Sequence, residues 1–376
     1  MAAAHTALKL DINDMRFVDL KIEDIAFGGK GVGRAQGKVV FVPYTIEGEI
    51  VSAEVVREKK QFAEAELVEV KQSLPDRVEP QCPYFGRCGG CAYQHISYEH
   101  QLAIKWRQVR DALQRIGKLK DVPMRPIIPS PDEYAYRNRI TVHAQDGVIG
   151  FYQRDSHRLL DVEQCPISTD EVNRALTELR AQPYVRDGHY TLRASASPRV
   201  FSQTNDAVAN ALRNLVVNLV PPNQELLIDV YCGAGFFAKA LLSKFERVTG
   251  IDWNKFAIEA ARKNATAKET YIAGDVEWEL TRSDGFLAVE GETQRLGSSR
   301  SLTLIVDPPA AGLSENVRKA IVDLAPTALI YVSCNPPTLA RDLRDLQEKF
   351  IIESVTPLDM FPQTAEIEVA AHLRAA

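Results

Sequence analysis

Five short apolar runs in the second half of the chain constrain the fold most: Leu226 to Val230, Arg247 to Ile251, Thr270 to Ala273, Leu302 to Val306 and Ala328 to Val332. Most are followed by a segment of helical character, and strands alternating with helices predict an α/β fold with a doubly wound sheet. In such a sheet ligands bind at the carboxyl ends of the strands. The residues expected there are Asp229 to Gly235, Asp252, Asp275, Asp307 to Gly312 and Ser333 to Pro336. A helix-like stretch from Thr204 to Leu219, stopped by Pro221-Pro222, leads into this region.

The first half reads differently. β-rich bursts at Asp19 to Ile25, Val39 to Val42, Ile50 to Val56 and Ala63 to Val70, with glycine turns at Gly28, Gly29, Gly31 and Gly33, predict a small barrel of about five strands. Small barrels often bind oligonucleotides, although the fold alone does not prove it, and a β-domain that merely supports its neighbour is the alternative. Arg77 to Cys91 reads as loop. Ser97 then caps a helix to about Ile116, with Leu102, Trp106, Val109, Leu113 and Ile116 on one face as core and Gly117 as its stop. The boundaries expected are 10–72 for the barrel, 73–200 for a central α+β region and 201–376 for the α/β domain. No apolar run approaches a membrane span, and the charged start lacks a signal peptide's apolar stretch, so a cytoplasmic protein without a membrane partner is expected.

The net charge of −5 makes wholesale attraction to nucleic acid unexpected, so a polyanion site must be local. Residues 100–160 carry eleven Lys and Arg against six acids, with Tyr134, Tyr136, Phe151 and Tyr152 among them. That mixture can hold phosphates and stack bases, or form a solvated face over a few core aromatics.

The turn Asp229-Val-Tyr-Cys-Gly-Ala-Gly-Phe-Phe-Ala238 lets backbone approach a nucleotide-like ligand, and Asp252 at the next strand end can bind ribose hydroxyls. Both suit a dehydrogenase as well as a methyltransferase. Asp307-Pro308-Pro309 has no common use in dehydrogenases, whereas methyltransferases acting on nitrogen or a nucleobase often carry an acidic or amide residue followed by Pro-Pro. The balance thus moves to S-adenosylmethionine. Ser333-Cys334-Asn335-Pro336 places a thiol at the same edge, either as a small buried apolar residue or, before a new helix, as a thiolate of depressed pKa. A thiol beside a methyl donor suggests uracil C5 methylation, because C5 becomes nucleophilic only after a thiolate adds at C6. The adduct must then lose its C5 proton to a base, and Glu366 and Glu368 supply candidates. Cys82, Cys88 and Cys91, with gaps of five and two residues and Cys165 far away, suit a four-iron cluster better than a zinc ribbon, which pairs two Cys-x-x-Cys units.

These residues together resemble the RNA uracil-C5 methyltransferases, which make 5-methyluridine in ribosomal and transfer RNA. The resemblance implies an amino-terminal TRAM barrel of the OB-fold type, a central iron–sulfur region that binds RNA, and a Rossmann-like class I methyltransferase domain. It implies a [4Fe–4S] cluster on Cys82, Cys88, Cys91 and Cys165. It also implies S-adenosylmethionine held by Gln203 of Phe201-Ser-Gln-Thr-Asn205, by Tyr231, Gly233 and Gly235, and by Asp252, Asp275 and Asp307. Cys334 would be the nucleophile, and Glu368, after Met360-Phe-Pro-Gln-Thr, the proton-abstracting base. The chain departs from the family pattern at Phe236, usually Asn, at Ala310, usually Arg, and at Glu366, usually His. A second negative charge at Glu366 is expected to raise the pKa of Glu368. The partner expected is RNA rather than DNA, ribosomal RNA before transfer RNA, with the target uridine flipped into a cleft of a monomeric enzyme. The competing readings are a non-catalytic RNA-binding protein of this fold and a nicotinamide-dependent oxidoreductase.

Overall fold

A computed structural model describes residues 17–194, 203–281 and 301–376. Strands β1 (Phe17–Ile25), β2 (Lys30–Ala35), β3 (Lys38–Pro43), β4 (Ile50–Glu58) and β5 (Phe62–Gln72) close into a barrel of order β1-β2-β3-β5-β4. Only β3 and β5 pair in parallel, as in an OB-fold. Alternating residues such as Leu20, Ile22, Val40, Val42, Val51 and Ala53 fill its interior. Gly31 and Gly33, read as turn residues, lie inside β2. They are needed for close packing, since a Cβ would stand 2.0 Å from Thr45 Oγ1 at Gly31 and 2.6 Å from the Lys21 carbonyl at Gly33.

Helix α1 (Tyr98–Arg115) straddles two cores: Ile104 packs into the barrel, while Val109, Ala112 and Leu113 pack against the α/β domain. The stripe anticipated here is displaced. Ile116 is exposed, Leu102 and Trp106 are half-buried, and the buried face includes Gln101, Lys105 and Gln108. These polar side chains reach backbone carbonyls of the segments packed against the helix. Gln108 Nε2 donates to the carbonyls of Ile25 and Ala26, and Gln101 Nε2 to that of Ile96. A junction of three chain segments leaves more such groups than the apolar periodicity of one helix reveals.

The central region places β6 (Arg139–Gln145), β7 (Val148–Tyr152), β8 (Leu159–Asp161) and β9 (Gly188–Arg193) in a sheet of order β8-β7-β6-β9. One face packs Ile140, Val142 and Ala144 on Val172, Leu176 and Leu179 of α2 (Asp170–Arg180). The other carries the cross-strand pairs Arg139/Arg193, Thr141/Thr191 and His143/His189.

Helix α3 (Asp206–Leu219) begins two residues later than the sequence suggests, because Asn205 is its cap and accepts from Val208 N–H. Then follow β10 (Gln224–Val230), α4 (Phe236–Leu241), β11 (Phe245–Asp252), α5 (Lys255–Arg262), β12 (Glu269–Ala273), α6 (Val276–Thr281), β13 (Leu302–Val306), α7 (Glu315–Leu324), β14 (Ala328–Ser333), α8 (Pro336–Leu346), β15 (Phe350–Leu358) and β16 (Glu368–Ala375). The sheet order is β12-β11-β10-β13-β14-β16-β15, parallel except for β16, which runs antiparallel to both neighbours. Among the described residues no helix is long and apolar enough to cross a membrane.

Candidate active site

The reversal of β16 assembles the site. Every parallel strand delivers its carboxyl end to the ligand edge, but β16 delivers its first residue. Ser333, the last residue of β14, pairs with Val369, so Cys334 and Glu368 come to the same edge from strands antiparallel to each other. Asn335 caps α8 by accepting from Thr338 N–H, and Pro336 at the first helical position fixes the turn beyond the thiol. Thr338 Oγ1 donates to the carbonyls of Asn335 and Ala310, tying this turn to the one that follows Asp307. Beneath them lies Asp342, fully buried, which accepts from Tyr331 Oη at 2.6 Å and from Leu313 N–H at 2.8 Å. No local motif marks this brace, because its partners lie on three separate segments.

Three carboxylates act on the thiol. Burial, then Glu368 and Asp307, and more weakly Glu366, push Cys334 up to about 11. Of the two readings of this thiol, the depressed pKa is therefore reversed: burial first, and then the acids after β13 and at the start of β16, raise it. Burial lifts Asp307 to about 7, and burial together with Asp307 and Glu366 raises Glu368 well above the carboxylate range. Asp307 and Glu368 thus form a coupled pair in which both carboxylates are seldom ionised together.

Beside them a cleft of about 860 Å³ runs along the glycine turn, with Gln203, Tyr231, Gly233, Gly235 and Asp307 among its lining. Tyr231, Gly233 and Gly235 all have positive φ, which folds the turn back from β10 into α4. A Cβ at Gly235 would meet Tyr271 Oη at 2.8 Å, so only glycine fits. Phe236, Asp206, Asn210 and Arg213 line the same cleft, the last three from the face of α3. Phe201 and Ser202 of the glutamine segment lie outside the described residues.

The other two acids stand apart from this lining. Asp252 is buried behind the turn, with one carboxylate oxygen accepting from Gly233 N–H at 2.9 Å and the other from Asn254 N–H at 2.8 Å. Asp275 is exposed at the start of α6, where it accepts from Trp278 N–H, and its charge acts on the Tyr231 hydroxyl.

Cys82, Cys88, Cys91 and Cys165 line one cavity of about 470 Å³, together with Arg137, Arg139 and Arg193. All four are free thiols, and the charge of Cys165 acts on each of the other three. Asn173 pins the remote member by accepting from Cys165 N–H and donating to its carbonyl, and the Gln94 side chain accepts from Cys82 N–H. Among the described residues no three His, Cys, Asp or Glu side chains converge as a single metal ion would need. The four thiols thus share one cavity without closing on a single point.

The basic segment is less available than its composition suggests. Lys105 pairs with Asp359, Arg107 with Glu47, Arg110 and Arg115 with Asp111, and Arg154 with Glu66. Asp111 lies within the segment itself, but Glu47 and Glu66 of the barrel region and Asp359 of the carboxyl-terminal loop absorb charge that a local count cannot foresee.

Comparison with known proteins agrees with this geometry. The family model for tRNA (uracil-5-)-methyltransferases matches residues 179–376, and that for the TRAM domain matches residues 16–68. An uncharacterized RNA methyltransferase of Bdellovibrio bacteriovorus is 32% identical over 95% of both chains, and one of Protochlamydia amoebophila is 31% identical over 95% of this chain and 97% of its own. The crystal structure of Pyrococcus abyssi tRNA (uracil-54, C5)-methyltransferase with S-adenosyl-L-homocysteine superposes with a TM-score of 0.68 at 25% identity, covering 95% of this chain and all of that one.

Proposed function

The chain belongs to the tRNA (uracil-5-)-methyltransferase family of S-adenosylmethionine-dependent RNA methyltransferases, and on that premise we propose that it methylates uridine C5 through a covalent bond between Cys334 and C6. The observation that carries this reading is the meeting of Cys334 and Glu368 at one sheet edge, from strands of opposite direction, with Asp307 between them in charge if not in sequence. Cys334 Sγ, as thiolate, adds to C6 and leaves C5 carrying the electron pair. The donor, when bound, supplies an electrophilic methyl group and a positive charge that offsets the neighbouring carboxylates. After C5 is methylated, Glu368 removes its proton, the C–H electrons restore the C5–C6 double bond, and the C6–S bond breaks to return the thiolate.

Gln203, Tyr231, Gly233, Gly235 and Asp307 would hold the donor from the cleft, with Asp252 bracing the turn and Asp275 flanking it. Cys82, Cys88, Cys91 and Cys165 would hold a [4Fe–4S] cluster, whose part here is to fasten residues 82–91 to the central sheet. The RNA would lie across the barrel and the open face of β6 and β9, with its target uridine flipped toward Cys334. Ribosomal RNA is the substrate class we propose, for a monomeric cytoplasmic enzyme. Transfer RNA is a second reading, favoured by the likeness along the whole chain to the Pyrococcus abyssi enzyme.

The test is transfer of labelled methyl to unmodified bulk RNA fractionated by size. Wild type is expected to yield 5-methyluridine, Cys334→Ala none, and Glu368→Gln a denaturation-resistant RNA–protein adduct; the labelled size class names the substrate. Labelling by Cys334→Ala would sink the covalent mechanism.

A further inference from the structure

Glu368 begins β16, so its position depends on the segment 359–367 that delivers it from β15. Six of its nine residues are buried, and three side chains from outside the α/β domain hold it. Lys105, with no exposed surface, donates from Nζ to Asp359 Oδ1 at 2.6 Å and to the Phe361 carbonyl at 3.0 Å. Tyr136 Oη donates to the Pro362 carbonyl at 2.9 Å. Gln101 makes a reciprocal amide pair with Gln363, donating to its Oε1 at 3.0 Å and accepting from its N–H at 3.1 Å. Gln363 has a φ of +69°, a left-handed conformation a side chain tolerates only when its surroundings impose it.

An ammonium group buried without water is costly, and an apolar pair of the same shape would stabilise the junction as well or better. Both Nζ hydrogen bonds of Lys105 end on this segment, and two neutral clamps follow directly at Pro362 and Gln363. That is the arrangement of a group retained to fix a loop's course. We propose that Lys105, Gln101 and Tyr136 are positioning residues for proton abstraction, holding the 359–363 segment so that Glu368 is aimed at C5 of the methylated adduct. The proposal rests on the reading of Cys334 and Glu368 given above.

Its signature is a defect confined to one step. Adduct formation depends on Cys334 and the donor, whereas adduct release depends on the base. Three variants are measured in single turnover on the RNA size class that wild type labels, following the adduct on denaturing gels: Tyr136→Phe, Gln101→Met and the double change Lys105→Met with Asp359→Leu. The first two are near-isosteric and keep the fold if the double change does not. Donor affinity, RNA affinity and adduct formation are expected to stay within about twofold of wild type, while adduct release slows by up to about 100-fold, the scale of an ångström's misplacement. Release at the wild-type rate in the soluble variants, or equal slowing of formation and release, overturns the proposal. Glu368→Gln run alongside separates the two levels: if it traps adduct and these variants do not, only the positioning role fails. If it traps none, the covalent reading fails with it.

Discussion

At Cys334 the surroundings oppose ionisation, and this has a measurable sign. Alkylation of the thiol in donor-free protein is expected to accelerate only toward a pH of about 11. Glu368→Gln removes one opposing charge, so the midpoint is expected to move to lower pH and alkylation at pH 8 to quicken. An unchanged midpoint, read by mass spectrometry of the labelled peptide, would leave burial alone as the cause. Asp229 offers a second case. It is wholly buried, accepts from Ala238 N–H, and is pushed up to about 8 by burial with help from Asp307 and Asp252. A carboxyl that holds its proton more tightly when folded contributes stability that is complete below its unfolded pKa and lost as pH rises through about 8. Asp229→Asn keeps an acceptor for Ala238, so its Tm is expected to gain on that of wild type progressively as pH rises from about 4 to 9. Cys334 and Asp307 were singled out because each sits in a short motif, whereas Glu368 was chosen over Glu366 only through the family resemblance. Their mutual electrostatics were not legible, since β13, β14 and β16 meet only in the folded sheet.

Elements were legible where one segment decides its own structure. The five parallel strands and the barrel's bursts were of that kind, each a run whose apolar residues face a single core. Gly31 and Gly33 were not, because glycine in a strand and glycine in a turn look alike until the neighbouring chain is in place. Gly33→Ala would press a methyl group on the Lys21 carbonyl and on Leu20, and is expected to destabilise by about 1–3 kcal/mol. Denaturant unfolding checks this, with Gly37→Ala as a contrast that is strained by its positive φ but meets no atom within 4 Å. Strand β15 escaped notice, and α1 was misjudged by about a third of a turn. In both cases the deciding partners were distant in sequence: Val355 accepts from Arg125 N–H, and Lys105 finds Asp359.

For the whole molecule, net charge of −5 and an RNA substrate are reconciled by pairing. Many basic residues of the central segment are neutralised internally, whereas Arg193 lies beside Arg139 on the sheet face turned away from α2. Arg193→Gln is therefore expected to reduce the slope of log affinity for RNA against log salt by about 1. Arg107→Gln, whose partner is Glu47, is expected to leave that slope unchanged. Titration of both variants at several salt concentrations checks the contrast, and equal effects would place the RNA elsewhere.

The turn at Gly29 gives the barrel a further role. A Cβ there would stand 2.8 Å from Ala92 Cβ and 3.3 Å from Ala365 Cβ, so the barrel's first hairpin abuts both the cysteine segment and the loop that leads to Glu368. Ala92 and Tyr93 donate from their backbone N–H groups to the Gln363 carbonyl within the same joint. A protein jointed this way is poor material for modular exchange. A barrel transplanted from a relative would bring its own preference for RNA, but it would work here only if its hairpin reproduced this glycine's bare backbone. Substrate range and catalytic geometry must then drift together over generations, one compensating change at a time.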